Sequence, residues 1–214
     1  MIATVRSVNT GPLAPVEGLR RPSGIRKHPV ERIEVRDPGP KRGGLGSGVV
    51  GDAIYSRKHH GGATQAVYAV AREELDWWGR ELGRDLADGM FGENLTTSGI
   101  DVDAAEVGEL WRVGLTLLEV CGPRVPCATF AKHMAEPRWV RRFSDRGRTG
   151  AYLAVREAGV IERDDPIEVV HRPAHGLTVP MFLRAWMGDR ELAEVFVSAR
   201  VLAEAEHEWL ASRL

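Results

Sequence analysis

The sequence predicts a mainly β protein of the α+β class, a β-barrel or folded sheet with a few helices and a small helical unit at its C-terminus. Three observations carry this. Short apolar, β-branched runs recur along most of the chain, separated by Gly- and Pro-rich turns. Only one long helical periodicity interrupts them early on. After Pro173-Ala174-His175-Gly176 the composition shifts to Ala, Glu, Leu and Arg. With 214 residues the chain divides naturally into a sheet domain over residues 1–173 and a helical unit over 174–214. The second unit is too small to fold alone.

Taken in order, residues 1–8 have β character, and residues 9–24, rich in Pro and Gly, form a loop. Residues 23–35 place Ile25, Val30, Ile33 and Val35 among charged groups, which predicts short half-buried strands interrupted at Pro29. Residues 37–48 hold two Pro and five Gly and must turn irregularly. From residue 65 to about 82, Val67, Val70, Ala71, Leu75, Trp78 and Leu82 recur at helical spacing, with Thr64 as N-cap. Residues 91–97 lead from a loop into a strand. Residues 107–120 read as two strands joined near Gly114, and residues 128–140 as a helix ending by Pro137. Three more short strands follow at 151–157, 160–161 and 167–170. Pro180 sits where a helix can start, and Gly188-Asp189 ends that helix and starts another.

The chemistry concentrates around Gly122-Pro123-Arg124-Val125-Pro126-Cys127. Two prolines fix φ and hold the residues before them extended, so this is a stiff exit from the strand that precedes it. Such an exit holds Cys127 in place, with Arg124 supplying positive charge. A thiol near a guanidinium ionises more readily, and the thiolate is the form that binds metals or attacks electrophiles. The competing reading is an inert cysteine packed at a strand end.

A second cluster is Arg57-Lys58-His59-His60-Gly61-Gly62. Its glycines allow close approach of a ligand to the backbone, and a helix starting just after them would favour an anion. Asn94, Thr96 and Thr97 carry amide and hydroxyl groups suited to a polar heterocycle, or to plain turn chemistry. Residues 20–42 hold eight Lys or Arg against three acids. Arg138, Arg141, Arg142, Arg146 and Arg148 form another basic group. Each is either an anion site or a solvated face.

A formal net charge of −1 argues against nucleic acid or an acidic membrane surface as partner. No apolar run approaches a membrane span, and residues 1–6 begin no secretory leader. The only two cysteines, Cys121 and Cys127, stand six positions apart. This fits neither a disulfide framework nor a Cys-x-x-Cys site, and points to a reducing, cytoplasmic setting. There is no Walker motif, no Gly-x-Gly-x-x-Gly, no flavin fingerprint and no iron–sulfur cysteine set.

Several segments together resemble one family. They are Gly51-Asp52, His59-His60-Gly61-Gly62 with Gln65-Ala66-Val67-Tyr68, Phe91-Gly92-Glu93-Asn94-Leu95 and Pro123-Arg124-Val125-Pro126-Cys127. Arg142-Phe143, Gly150-Ala151-Tyr152 and Asp165-Pro166-Ile167 follow in order. The whole chain is similar to the MOSC domain, named for the C-terminal domain of molybdenum cofactor sulfurases, and to its bacterial stand-alone YiiM-like branch with a C-terminal three-helix domain. The resemblance implies a β-barrel that binds the molybdenum cofactor (molybdopterin), with Cys127 as thiolate ligand to molybdenum. It implies that Arg124 offsets the anionic cofactor, that His60, Gly61 and Gly62 approach pterin or phosphate, and that Asn94 contacts the pterin. Arg57, Lys58, Thr96 and Arg148 join the cofactor-binding candidates on charge and polarity. His59, His60 and Asp52 are the candidate proton donors. The chain departs from that branch before His59, reading Ala53 to Lys58 where an Ala-Asp pair is common.

The activity implied is reduction of N-hydroxylated compounds, such as hydroxylaminopurines or amidoximes, to amines, with electrons from a partner reductase. The alternatives are a non-catalytic carrier of the cofactor, or a persulfide carrier using Cys127. Pyridoxal phosphate belongs to the family's large sulfurases at a separate domain that has no counterpart here. A homodimer is compatible with the sequence.

Overall fold

The computed structural model describes residues 2–56 and 60–214. Among the described residues there are ten strands: β1 Thr4–Thr10, β2 His28–Val30, β3 Arg32–Val35, β4 Val67–Ala71, β5 Leu95–Ser98, β6 Leu110–Val113, β7 Thr116–Pro123, β8 Ala151–Glu157, β9 Gly159–Glu162 and β10 Ile167–His171. The six α-helices of the described residues are α1 Arg72–Leu82, α2 Ala128–Met134, α3 Trp139–Arg146, α4 Val179–Trp186, α5 Arg190–Ala199 and α6 Glu204–Ala211. The class is α+β, as the sequence predicts.

Eight strands form one sheet in the order β10-β6-β7-β8-β4-β5-β1-β2, and β3 pairs β9 separately. The sheet does not close into a continuous barrel. The start of β1 and the chain entering β10 are joined by an isolated Thr4–Pro166 bridge, with Val5 N donating to Asp165 O at 2.9 Å, Asp164 N to Val5 O at 2.7 Å and Ile167 N to Ala3 O at 2.8 Å. Pro166 lacks the N–H that a ladder through this point would use.

The expected helix over residues 65–82 is corrected. Its first part is strand β4, all five of whose residues are buried. A continuous apolar run with valines satisfies helical spacing by coincidence, and burial on both faces makes it a central strand. Helix α1 begins only at Arg72 and ends at Gly83, whose φ of 64° provides the left-handed cap. It returns the chain so that β5 pairs parallel to β4, with Ala69 beside Leu95. Parallel neighbours require such a crossover. The sheet thus holds one β-α-β unit where the sequence suggested none. Pro29 lies inside β2 and does not interrupt it. Because β2 is an edge strand, the missing N–H costs no ladder bond.

One apolar core fills the concave sheet around Val5, Trp111, Leu118, Val120 and Leu153. A second, aromatic core packs α1, α2 and α3 through Trp78, Phe91, Phe130, Trp139 and Phe143. A third gathers α4, α5 and α6 around Phe182, Phe196 and Leu210, reaching Val107 and Leu177 of the preceding chain. Asp189 caps α5 by accepting from Leu192 N at 3.2 Å. Helix α4 presses on the end of β7: a Cβ on Gly122 would lie 2.7 Å from the Phe182 ring. This contact and the prolines beyond it fix where the chain leaves the sheet.

Candidate functional site

Beyond β7 the chain passes through Arg124, Val125 and Pro126 to Cys127, which is extended (φ −130°, ψ 171°) and stands directly before α2. Its carbonyl accepts from Ala131 N at 3.0 Å, and it is half-buried. Arg124 is 7% exposed. Its guanidinium donates to Phe91 O and lies over the rings of Phe130 (4.1 Å to the centroid) and Tyr68 (5.0 Å). Among the described residues it forms no ion pair with a carboxylate. An arginine stays charged in a protein, so this is a buried cation whose partners among the described residues are a carbonyl dipole, aromatic faces and the neighbouring Tyr68 and Cys127 side chains.

Arg124 and Cys127 line one cavity of about 400 Å³ together with His60, Gly61, Asp52 and Asn94. Arg20, Arg21 and Lys27 also face it. The basic stretch of residues 20–42 therefore supplies cavity lining as well as surface. Lys27 itself went unremarked within that run. Its ammonium pairs with the Asp52 carboxylate, and both side chains are nearly inaccessible, at 7% and 2%. Burial is the main force lowering the Lys27 pKa, and Asp52 opposes it.

Asp52 also accepts from Gly11 N at 3.1 Å, Ser47 Oγ at 3.1 Å and Asn94 Nδ2 at 3.2 Å. Four donors occupy the carboxylate, so it acts as a structural hub and is poorly placed to deliver a proton. Asn94 is equally engaged. Its Oδ1 accepts from Tyr68 N at 3.2 Å, and its Nδ2 also donates to Asn9 O at 3.2 Å. It positions the wall through its backbone partners.

Burial, then the cations Arg124 and Lys41, push the His60 imidazole down to about 4. It is therefore neutral near pH 7, a hydrogen-bonding group and not an acid. Tyr68 and Tyr152, whose rings lie 5.1 Å apart, are pushed up by burial and stay protonated. Gly61 has φ +81°, and a Cβ there would sit 2.5 Å from Gly46 O. Only glycine fits this turn. Gly62 (φ +85°) donates to Gly46 O at 2.9 Å and lies against Lys41, outside the cavity lining. The helix expected just after these glycines is a three-residue 3-10 turn, Ala63–Gln65, so they do not lead into an α-helix N-terminus.

Two candidates lie elsewhere. Thr96 is fully buried, donating to Glu93 Oε1 at 3.0 Å and accepting from Asn9 Nδ2 at 3.1 Å. Arg148 pairs with Glu74 at 3.0 Å and Asp101 at 2.6 Å. The basic group around it is tied down likewise: Arg146 to Glu74, Arg142 to Glu136 and Arg141 to Asp145. Glu74 and Asp101 come from distant segments, so the sequence could not show those pairings, whereas Glu136 and Asp145 are near neighbours in the chain. Arg57, Lys58 and His59 lie outside the described residues.

The two cysteines differ. Cys121 is pushed up to about 12, by burial first and then by Glu119. It is a protonated thiol on β7, and its Sγ donates to the Glu119 carbonyl. Cys127 lines the cavity beside the guanidinium of Arg124. Among the described residues no group of three or more His, Cys, Asp or Glu could hold a metal ion. A metal at Cys127 would need most of its ligands from outside the protein. No helix among the described residues is long and apolar enough to cross a membrane.

The sequence and the fold of this chain are matched in known proteins. The model of the MOSC domain matches residues 56–168, more than half of the chain, and the chain belongs to the MOSC domain family. It is similar to the uncharacterized protein YflK of Bacillus subtilis, 30% identical over 164 residues, covering 76% of this chain and 73% of that one. A protein named "Reductase" from Gibberella moniliformis is 30% identical over 165 residues, but this chain spans only 29% of its length. The crystal structure of YiiM from Geobacillus stearothermophilus superposes with a TM-score of 0.78 at 25% identity, over 99% of both chains. The family is linked to the molybdenum cofactor.

Proposed function

We propose that the chain binds the molybdenum cofactor and reduces N-hydroxylated compounds to amines, with electrons delivered by a partner reductase. One observation carries the reading: a buried, permanently charged Arg124 without a carboxylate partner faces the same cavity as Cys127. Burying a charge without an opposite charge is costly, so such a site calls for an anionic ligand. The residues fit this group. The cavity is within the range of small-molecule sites. Its other cations suit a phosphate tail, Gly61 lets a ring or phosphate approach the backbone, and a soft thiolate suits a centre already held by sulfur.

Cys127 would supply the protein's ligand to the metal, and Arg124 would balance the cofactor's charge. When bound, the cofactor supplies a two-electron centre able to accept oxygen. The overall change is R–NHOH + 2H⁺ + 2e⁻ → R–NH₂ + H₂O, with both electrons drawn from the partner. The neutral His60 ring would hydrogen-bond at the cavity wall. Asp52 would keep Lys27 and Asn94 in place and pass no proton. The name of the fungal relative, "Reductase", supports a redox role, though this chain spans a minor part of that protein.

The test is to produce the protein in a host that makes the cofactor, measure molybdenum per chain, and offer 6-hydroxylaminopurine or benzamidoxime with a chemical reductant. Stoichiometric molybdenum and amine formation are expected. Molybdenum without turnover would make the protein a carrier. Protein without molybdenum would end the reading.

A further inference from the structure

Glu93 is fully buried behind the cavity wall and is not part of the lining itself. Its Oε1 accepts from Gly89 N at 2.6 Å and from Thr96 Oγ1 at 3.0 Å, and its Oε2 from Phe91 N at 2.9 Å. These bonds close the turn of residues 89–93 around the carboxylate. Gly89 and Gly92 allow the turn with φ of 85° and 78°, and a Cβ on Gly89 would lie 2.8 Å from Lys27 O. Phe91 faces two ways within it. Its N–H serves Glu93, and its carbonyl accepts from the Arg124 guanidinium. Glu93 thereby sets the position of a carbonyl that fixes Arg124.

The charges follow the same arrangement. Two cations and two carboxylates are buried here: Lys27, Arg124, Asp52 and Glu93. Lys27 and Asp52 pair directly, while Phe91 stands between Arg124 and Glu93. Asp52, Glu93 and Arg124 all act on the Lys27 ammonium, so the four groups share one electrostatic neighbourhood. Burial, opposed by its donors, pushes the Glu93 carboxyl up to about 7. The other titratable groups nearby are committed. Tyr68 on β4 stays protonated, Asp88 turns away onto Arg72 at 2.7 Å, and His133 of α2 bonds Met90 O at 3.0 Å with its pKa lowered by burial.

We propose that Glu93 is a positioning residue of the Arg124 anion site: it shapes the turn that holds the guanidinium, and it takes up a proton as an anion seats there. The carboxylate offsets part of the guanidinium's charge while the site is empty. An arriving anion takes over that role and repels the Glu93 charge, and a neutral carboxyl keeps acceptor capacity for its donors. This rests on the anion-site part of the reading above and not on the reduction.

The probe is sulfate, whose charge is constant through the neutral range, titrated calorimetrically into the full chain at fixed ionic strength. Buffers of different ionisation enthalpy read the protons taken up. A Cys127→Ser background removes the cavity thiol from the titration. Sulfate affinity is expected to fall about tenfold from about pH 6 to about pH 8, with about half a proton taken up near neutrality. Glu93→Gln should bind with flat pH dependence and no proton uptake. Thr96→Val removes a donor that favours the charged carboxylate, so it should move the midpoint to higher pH. Arg124→Gln should abolish binding. Absent sulfate binding, binding that survives Arg124→Gln, or an unaltered pH profile in Glu93→Gln would each overturn the inference. If circular dichroism shows Glu93→Gln unfolded, Thr96→Val decides, and an unmoved midpoint overturns it. Glu93-dependent proton uptake in a protein that takes no molybdenum leaves this inference standing and ends the cofactor reading. Molybdenum uptake with pH-independent sulfate binding does the reverse.

Discussion

Replacing Asp52 by alanine strands a buried ammonium. In the native protein Lys27 is only 7% exposed and Asp52 is its ion-pair partner, with Ser47, Asn94 and the Gly11 amide completing the carboxylate's shell. Removing one partner of a buried pair costs about 3–5 kcal/mol, because the remaining charge stays desolvated. Burial already lowers the Lys27 pKa against the opposing pull of Asp52. Without Asp52 the lysine would shed its proton more readily, which holds the loss nearer the lower end. Against a total stability of about 5–15 kcal/mol for a typical domain, this is a large fraction. The assay is urea unfolding followed by tryptophan fluorescence on wild type, Asp52→Ala, Lys27→Met and the double variant. Asp52→Ala should lose about 3 kcal/mol or more. Adding Lys27→Met should recover part of that loss, giving a coupling above about 1 kcal/mol. A loss under about 1 kcal/mol, or two single effects that simply add, would refute the view of Asp52 as a structural hub.

Cys127→Ser should abolish molybdenum retention and turnover with an unchanged circular dichroism spectrum, while Cys121→Ser should be nearly silent; metal analysis of both decides it. Gly61→Ala should destabilise by at least about 1–2 kcal/mol from the left-handed backbone alone. The 2.5 Å approach to Gly46 O adds to this, and thermal melting reads the sum. Asp103 gives a pH signature. Burial, the largest cause, raises its pKa from 3.8 to about 6 in the folded state. The folded protein then holds a proton that the unfolded chain releases, so the stability due to this group is full below pH 3.8 and lost as pH rises through about 6. Asp103→Asn keeps the acceptor for Gly150 N, and should gain on wild type by up to about 3 kcal/mol between about pH 4 and 7 in paired urea unfoldings. A difference that stays flat with pH would show that Asp103 remains ionised.

Much of the architecture was legible because strands of this chain announce themselves by period and by punctuation. Residues 107–120 read as two strands about Gly114, and β6 and β7 flank that glycine. The Pro-Arg-Val-Pro-Cys exit read as extended, and Cys127 is extended. Strand β4 was hidden because Val67–Ala71 is buried on both faces and so lacks the alternation that marks a half-buried strand. Part of the cavity's lining was legible where residue identity carries chemistry, and the fold brings Cys127, Arg124, His60 and Gly61 to one cavity. The rest was illegible where function depends on who sits opposite. Arg148 looked like a phosphate ligand until Glu74 and Asp101, far away in sequence, occupied it. Lys27 was one basic residue among eight until the fold turned it inward onto Asp52.

The guanidinium that water barely reaches has a consequence for the lifetime of the chain itself. An anion seated against it removes an electrostatic penalty that the empty protein bears, so any such ligand tightens the fold in proportion to the logarithm of its supply. A cell short of that anion would hold a looser, more readily degraded population of the same polypeptide. Abundance would then track the ligand's availability before any catalytic turnover is counted.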